Sequence, residues 1–160
     1  IYILRPCMIH GPGNKGNLNL LFKFISKGIP WPLGSFKNKR SFCSIDNLLF
    51  VINELINNEN IPSGLYNIAD DQPLSTNEII LLINKTQNKK PVIWNVSKSI
   101  IYLLAKVGDK FKLTLDSEKL NKLTEPYLVS NKKLINSLEK PLPIKSKEGM
   151  VKTLKSLKFN

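Results

Sequence analysis

Hydrophobic and polar positions along this chain switch between the spacing of strands and the spacing of helices. Residues 1–10 are rich in aliphatic side chains and lack polar alternation, which is typical of a strand covered on both faces in a parallel sheet. A glycine-containing loop follows at residues 11–17, and apolar positions at three- and four-residue spacing then predict a helix over 18–27. Gly28 is expected to end that helix. In α/β proteins, ligands bind at the sheet edge where such a loop follows a strand.

The rest of the chain also predicts an alternation of extended segments and helices. Extended segments are expected at 30–34, 40–45, 65–69, 91–96 and 127–129. Helices are expected at 48–58, 75–83, 97–107, 116–123, 130–138 and 147–157. This order predicts an α/β fold.

Capping signals mark the starts of two of these helices. Asp46 is predicted to be the N-cap of a helix whose inward face holds Leu49, Ile52, Leu55 and Ile56. Residues 75–78, with the sequence Ser-Thr-Asn-Glu, have the pattern of a capping box. The paired carboxylates just before it, at 70 and 71, stand next to a proline and are interpreted as turn residues rather than an acid/base pair.

Composition limits the classes of function. The 160 residues, 42% of them hydrophobic, are enough for one domain. The net charge of +12 comes almost entirely from lysines spread along the chain, without the interleaved aromatic residues of a nucleic-acid stacking surface. No segment reaches the roughly 18 apolar residues of a membrane span. We therefore expect a cytoplasmic protein with no nucleic-acid partner and no membrane partner.

Several single residues narrow the chemistry further. Arg5 and Arg40 are the only arginines among 24 cationic residues, and a guanidinium can grip a phosphate with two parallel hydrogen bonds. Cys7 and Cys43 lie in apolar runs and are predicted to be buried free thiols. His10 is the only histidine, so neither a histidine-based metal site nor a Ser-His-Asp triad is expected.

Two motifs match known patterns by coincidence, in our interpretation. Gly11, Gly13 and Gly16 fit the dinucleotide-binding spacing, but the acidic residue that should follow about 20 positions later is missing. A turn that needs glycine geometry is the favoured alternative. Tyr102 and Lys106 have the spacing of a short-chain dehydrogenase acid/base pair, but no glycine-rich cofactor loop precedes them in the expected place, and Tyr102 is predicted to be a core residue.

Taken in order, a set of short motifs resembles the C-terminal half of extended short-chain dehydrogenase/reductases, the NAD-dependent nucleotide-sugar epimerases and dehydratases. The motifs are Leu4-Arg5-Pro6 with His10-Gly11-Pro12-Gly13, Gly16-Asn17-Leu18, Pro32-Leu33-Gly34, Arg40-Ser41-Phe42 with Ile45-Asp46-Asn47-Leu48, Gly64-Leu65-Tyr66-Asn67-Ile68, and Lys122-Leu123-Thr124. The likeness extends to bacterial enzymes acting on UDP-N-acetylhexosamines, both 4-epimerases and 4-ketoreductases. It implies the end of a parallel Rossmann-type sheet plus a small α/β substrate-binding domain over residues 1–160.

The resemblance also implies roles for individual residues. The substrate, a UDP-sugar, is expected to contact Met8, Asn17, Leu18, Trp31, Pro32, Leu33, Arg40 and Lys122. The cofactor NAD is expected near Pro6 and His10, but to be bound mainly by an N-terminal Rossmann part that this sequence does not include. The catalytic Tyr and Lys are expected in that same part, so these 160 residues have no predicted catalytic residue and no predicted metal ligand.

Two other classes remain open from the sequence. The chain could be a stand-alone nucleotide or nucleic-acid binding module, or a domain that keeps the fold without a ligand. The resemblance further implies that the complete parent enzyme is a homodimer and that this piece, which lacks the dimer helices, is a monomer.

Overall fold

A computed structural model describes residues 1–111 and 116–157, which form short strands and helices in alternation. The strands are β1 (Tyr2–Pro6), β2 (Met8–His10), β3 (Phe42–Ser44) and β4 (Gly64–Ile68). The helices are α1 (Asn17–Ser26), α2 (Ile45–Asn57), α3 (Thr76–Thr86), α4 (Lys98–Phe111), α5 (Ser117–Thr124), α6 (Lys132–Leu138) and α7 (Ser146–Ser156).

All strand pairs are parallel, which confirms the predicted α/β class. β1 pairs with β4, and β2 pairs with β3. Cys7 separates β1 from β2, and its N–H donates to the carbonyl of Ile68 at the end of β4 (3.0 Å). The two small sheets are therefore linked here, and also by the hydrogen bond from the N–H of Asp70 to the carbonyl of Phe42 in β3 (2.7 Å). The loops after β2 and β4 lie at their carboxyl ends.

The opening strand is buried on one face only, so the prediction that it is covered on both faces was wrong. Ile1 and Ile3 are 94% and 54% exposed, while Tyr2 and Leu4 pack against buried residues of the interior. No element within residues 1–111 or 116–157 covers the outer side of this strand. Aliphatic composition alone cannot reveal how many faces of a strand are covered.

The outer edge of β4 is closed by a side chain of α6. Lys133 donates from Nζ to the carbonyl of Leu65 (2.9 Å), and the same ammonium lies 4.7 Å from the centre of the Tyr66 ring. The ammonium thus occupies a backbone acceptor that another strand would otherwise use.

Two hydrophobic clusters form the interior. The larger one joins α1, α3, α4, α5 and α7, and Phe22, Ile80 and Met150 are among its members. The smaller one packs α2 and α6 against β1 and β4, with Val51 and Tyr66 at its centre. The predicted helix over 18–27 is confirmed as α1, and Gly28 follows it with a φ of +76°, in the left-handed region that favours glycine.

The N-cap of α2 differs from the prediction. Ser44, the last residue of β3, is the cap, and its hydroxyl accepts from the N–H of Asn47 (3.3 Å). Asp46 lies inside the first turn, where its carboxylate meets the ammonium of Lys152 at 2.7 Å. The strand runs directly into the helix without a loop, so the cap comes two residues earlier than the acidic residue suggested.

The inward face of α2 also differs from the prediction. Val51 and Leu55 are buried, but Leu49 and Ile56 are exposed. Apolar residues occur on both sides of this helix, so two overlapping sets of positions satisfy helical spacing. The direction in which β3 enters the helix selects the set that faces the interior.

Predictions for the later helices agree better with the structure. The capping box at α3 is confirmed, since Glu78 accepts from the N–H of Ser75 (2.9 Å) and the Ser75 hydroxyl accepts from the N–H of Glu78 (3.1 Å). Asp116 caps α5 as predicted. By contrast, the predicted end of a helix at residue 107 was wrong. α4 continues to Phe111, and Gly108 is a buried residue within the helix. The sequence also predicts a basic connector at 110–114, and this stretch lies partly in α4 and partly outside the described residues.

Asp70, at the end of β4, is the centre of a buried polar network. Its two carboxylate oxygens accept from the N–H of Ser44 (3.0 and 3.1 Å), and one also accepts from the Asn47 amide (2.7 Å). Nε2 of His10 lies 3.4 Å from the other oxygen, and Nδ1 of His10 lies 2.8 Å from the hydroxyl of Thr153 in α7. One carboxylate thus holds together β2, β3, the start of α2 and, through His10, α7.

Asn47 connects this network to the chain before α7. Besides donating to Asp70, its amide donates to the carbonyl of Ile144 (2.8 Å) and accepts from the Ile144 N–H (3.1 Å). The neighbouring Asp71 accepts from the N–H and hydroxyl of Ser146 (2.8 and 2.6 Å). Despite its partial burial, these Ser146 hydrogen bonds hold the pKa of Asp71 below its usual value. Both carboxylates are therefore structural, in agreement with the prediction that they are not an acid/base pair.

Replacing Asn47 with Ala tests this network. We expect the free energy of unfolding to fall by about 2–4 kcal/mol, because a buried carboxylate oxygen and both backbone groups of Ile144 lose a partner. Asn53→Ala, an exposed position on the same helix, is the matched control and should change stability by less than about 0.5 kcal/mol. Urea denaturation of the three proteins measures both values, and equal losses in the two variants would contradict the network's role.

Cys7 and Cys43 are buried free thiols, as predicted. Burial is the main cause that raises the pKa of Cys7 from 9.0 to about 11 and that of Cys43 to about 12, and the negative charge of Asp70 adds to both. The folded protein therefore keeps both thiols in their neutral form at ordinary pH.

The free energy of unfolding should decrease at alkaline pH, because the buried thiols ionise less easily in the folded chain than in the unfolded one. We expect neither to react with a thiol-specific reagent at pH 8 until the chain unfolds. Since both pKa values are raised by folding, their contribution to stability is complete below pH 9 and is lost as the pH rises towards 11–12. Unfolding curves of the wild type and a Cys43→Ala variant between pH 8 and 11 measure this, and an identical pH dependence in the two would contradict it.

Candidate functional site

A cleft of about 370 Å³ opens beside β2 and the first residue of β3. Its walls come from β2, the start of α1, the segment around Trp31, β3, the first turns of α3 and the end of α5. Six of the eight predicted substrate-binding residues line it: Met8, Asn17, Leu18, Trp31, Arg40 and Lys122. These residues are spread over 115 positions of sequence, so the fold brings them together.

Pro32 and Leu33 do not line the cleft, and Leu33 is a core residue. The backbone of the segment that holds them is hydrogen-bonded to a neighbouring extended segment and is therefore not free to bind a ligand. The N–H of Trp31 donates to the carbonyl of Val92 (2.9 Å), and the Trp31 carbonyl accepts from the N–H of Trp94 (2.8 Å). Trp31 therefore offers the cleft its ring rather than its backbone.

Trp31 has two roles, one in the hydrophobic core and one in the wall of the cleft. Its ring packs in the core, with an edge-on contact to Phe24 at 6.2 Å, and it also forms part of the cleft wall. The indole Nε1 is buried and has no hydrogen-bond partner within the described residues. Buried donors are rarely left unpaired in folded proteins, which makes this N–H an exception among the described residues.

Arg40 is fixed by its backbone and by one end of its guanidinium. Its N–H and carbonyl exchange hydrogen bonds with Leu74 (both 2.9 Å), and Nη2 donates to the carbonyl of Lys122. The guanidinium Nε is buried, and within the described residues no group accepts from it. Arg40 also lines a second cavity of about 290 Å³ that shares Met8 and Lys122 with the first. The guanidinium is thus held at the junction of two adjoining spaces.

The cleft is apolar with a positive end. Arg40 and Lys122 are its charged lining residues within the part of the chain that the structure describes. A hydrogen bond and the negative charge of Glu118 raise the pKa of Lys122, so this ammonium stays charged at neutral pH. The N-terminus of α1, at Gly16 and Asn17, also faces the cleft and has no side-chain cap. A helix N-terminus and a guanidinium together favour an anionic ligand.

Comparisons with known proteins found epimerases that are similar to parts of this chain. No protein-family model matches the chain. A UDP-glucose 4-epimerase from Vibrio cholerae is 36% identical over 100 residues, which cover 59% of this chain and 30% of that protein. An N-acetyl-alpha-D-glucosaminyl-diphospho-ditrans,octacis-undecaprenol 4-epimerase from Escherichia coli O157:H7 is 30% identical over 88 residues, covering 55% and 27% respectively. The chain therefore matches under a third of the length of these two relatives.

The fold of almost the whole chain is similar to that of solved epimerase structures. A UDP-glucuronic acid 4-epimerase from Bacillus cereus, solved with UDP-glucuronic acid and NAD, superposes with a TM-score of 0.64 at 16% identity. The match covers 98% of this chain and 45% of that structure. The resemblance to extended short-chain dehydrogenase/reductases is confirmed. This chain has the fold of part of such an enzyme.

The glycine loop differs from a dinucleotide-binding loop in this part of the extended short-chain dehydrogenase fold. A Cβ on Gly11 would come within 2.5 Å of the Ile45 side chain, so this glycine permits close packing against α2. The N–H of Gly16 is taken by the side chain of Asn14 (2.9 Å). Gly13 has a φ of +78° and serves the turn itself. Packing at Gly11 and the turn at Gly13 account for these two glycines without a dinucleotide, which supports our interpretation of the motif as a turn.

Alanine substitutions distinguish these two glycine roles. Gly11→Ala should lower the free energy of unfolding by about 2 kcal/mol, because the added methyl group overpacks the contact with Ile45. Gly16→Ala should cost less than about 1 kcal/mol, since its Cβ would meet only the Asn14 side chain at 3.6 Å. Thermal and urea unfolding give both values. A larger loss at Gly16 than at Gly11 would contradict the packing role.

Tyr102 is not a core residue, which corrects the prediction. It is 45% exposed, with its ring edge-on to Phe36 at 5.8 Å. Helical spacing placed it among apolar neighbours, but the buried face of α4 consists of the small or branched residues at 101, 105 and 108. Neither Tyr102 nor Lys106 lines the cleft.

His10 and Pro6 were expected near the cofactor. His10 lines the cleft but is only 2% exposed, and both ring nitrogens face protein groups in the Asp70 network. Pro6 pairs with Ile68 at the end of β1 and does not line the cleft. Contact of these residues with NAD remains a prediction. The link from His10 to Asp70 joins residues 60 positions apart, and no sequence spacing could have signalled it.

Proposed function

We propose that residues 1–160 are the C-terminal, substrate-binding portion of an NAD-dependent nucleotide-sugar epimerase, dehydratase or 4-ketoreductase. In this proposal the cleft binds a UDP-sugar. The nucleotide-binding Rossmann part, with the catalytic Tyr and Lys, lies in the remainder of the parent enzyme, and this chain alone has no activity.

The observation that carries the proposal is a pair of buried side-chain donors on two residues that line the cleft. Within the described residues, neither Nε1 of Trp31 nor Nε of Arg40 has a hydrogen-bond partner, and both residues line the same space. A UDP-sugar is rich in acceptors, with a charged diphosphate and the carbonyl oxygens of uracil. We assign the diphosphate to Arg40 and the uncapped start of α1, because charge-assisted hydrogen bonds to phosphate are strong.

The relatives support the same ligand class. One is named for UDP-glucose and another for an N-acetylglucosaminyl diphosphate, and the Bacillus cereus structure holds UDP-glucuronic acid. Each of these ligands joins a hexose to a diphosphate. The apolar wall at Met8 and Leu18 suits the less polar faces of a hexose beside a charged group.

NAD belongs, in this proposal, to the part of the parent enzyme outside residues 1–160. Among the described residues, the N–H of Gly16 is taken by the Asn14 side chain and His10 is turned to Asp70, so they do not fit a complete dinucleotide site. The Bacillus cereus structure that shares this fold holds NAD, which supports NAD as the cofactor of the parent. This chain contributes the residues that position the sugar nucleotide and the positive charge that attracts its diphosphate.

Titration of the chain with UDP tests the proposal. The fluorescence of Trp31 should change on binding, because its ring forms the cleft wall. Arg40→Gln should weaken UDP binding about tenfold or more, because it removes a charge-assisted hydrogen bond worth about 1.5–3 kcal/mol. Arg5→Gln is the matched control, since Arg5 is exposed on β1 and does not line the cleft, and it should bind UDP as the wild type does.

Three outcomes would contradict the proposal. These are no UDP binding by the folded chain, equal losses in the two arginine variants, or turnover of NAD by the isolated 160 residues. Salt-sensitive binding of random DNA that exceeds UDP binding would favour the nucleic-acid alternative. Thermal melting of each variant shows that a loss of binding does not reflect unfolding.

A further inference from the structure

Helix α4 presents an apolar face to solvent. Its buried side is formed by Ile101, Ala105 and Gly108. On the other side, five large apolar side chains are between 41% and 66% exposed, namely Ile100, Leu103, Leu104, Val107 and Phe111. Their positions repeat every three or four residues, so they form one continuous stripe along the helix. None of them lines the cleft.

Lysines border this stripe. Lys106 and Lys110 are exposed on the same helix. Lys106 and Lys110 lie three residues after Leu103 and Val107, so they stand beside the stripe. Asp109 is the only acidic residue of α4, and its carboxylate accepts from the N–H and hydroxyl of Ser117 (2.8 and 2.6 Å).

We propose that the α4 stripe docks on the surface of an anionic lipid bilayer. An exposed apolar helical face beside cationic side chains is the chemistry of helices that lie in the interface between water and lipid. The lysines would meet lipid phosphates while the leucine, valine and phenylalanine side chains enter the acyl boundary. A second copy of this chain is the poorer occupant, because each copy has a net charge of +12 and the two would repel.

Docking of this kind is parallel to the membrane and does not require a spanning helix. α4 has 14 residues, fewer than the roughly 20 needed to cross a bilayer, and no helix in the described ranges is long and apolar enough to span a membrane. The expectation of no membrane partner was based only on the absence of a segment long enough to span a bilayer. That criterion does not detect helices that lie in the membrane interface. One relative is named for a substrate joined to a polyprenol diphosphate, and such a substrate is held in a bilayer by its lipid.

Co-sedimentation with vesicles tests the proposal independently of UDP binding. The complete chain is mixed with vesicles of phosphatidylcholine and phosphatidylglycerol in equal parts, or of phosphatidylcholine alone. We expect binding to the anionic vesicles only, reduced by added salt. Leu103→Gln with Val107→Gln should reduce the bound fraction about tenfold or more, because it removes apolar area without changing charge. Leu49→Gln with Ile56→Gln, two exposed apolar positions on α2, is the matched control and should bind as the wild type.

Each other outcome would overturn the proposal. If the wild type does not sediment with anionic vesicles, the stripe does not bind lipid. If the α4 variant sediments as the wild type does, the attraction is due to net charge rather than to the stripe. If the wild type forms a dimer by size-exclusion chromatography that only the α4 variant loses, with no vesicle binding, the occupant is a second copy. Melting temperatures of both variants show whether the fold is kept.

Discussion

The buried carboxylate of Asp70 is the constraint on which the geometry of this chain depends. It accepts from the backbone at the junction of β3 and α2, from the Asn47 amide, and lies next to His10 at the end of β2. These groups come from sequence segments that are far apart, and a charge inside a protein is tolerated only when such partners surround it. Because His10 lines the cleft, the same network fixes the floor of the candidate site.

The cleft differs from the Asp70 network in how its polar groups are paired. The Asp70 network pairs its polar groups within the chain, whereas the donors of Trp31 and Arg40, two cleft residues, have no partner in the ranges 1–111 and 116–157. Arg40 is nevertheless held rigidly, through its backbone to Leu74 and through its guanidinium to Lys122. A donor that is fixed in advance loses little entropy on binding. The physical basis for separating structural from functional residues here is the contrast between the fully paired carboxylate of Asp70 and these donors on two cleft residues.

Sequence reasoning succeeded where the signal was local and failed where it depended on distant partners. The capping box at Ser75 and Glu78 and the glycine after α1 were predictable, since each is decided within a few residues. The inward face of α2 was not, because Leu49 and Val51 both fit helical spacing and only the entry from β3 decides between them. For the site, the ordered family motifs placed Asn17 and Arg40 in one cleft, but they did not show that the backbone of Trp31 would be taken by the segment at 92–94.

The ammonium of Lys133 over the carbonyl of Leu65 makes the two margins of the β1–β4 pair unequal. On the β4 side, a cation sits on the backbone and a foreign chain would have to displace it. On the β1 side, the strand begins with exposed isoleucines and has no further partner within residues 1–111 and 116–157. Aggregation through edge-strand pairing between molecules can therefore start only from the β1 edge. A charged residue introduced at Ile3 is the rational way to prevent such aggregation in concentrated solutions.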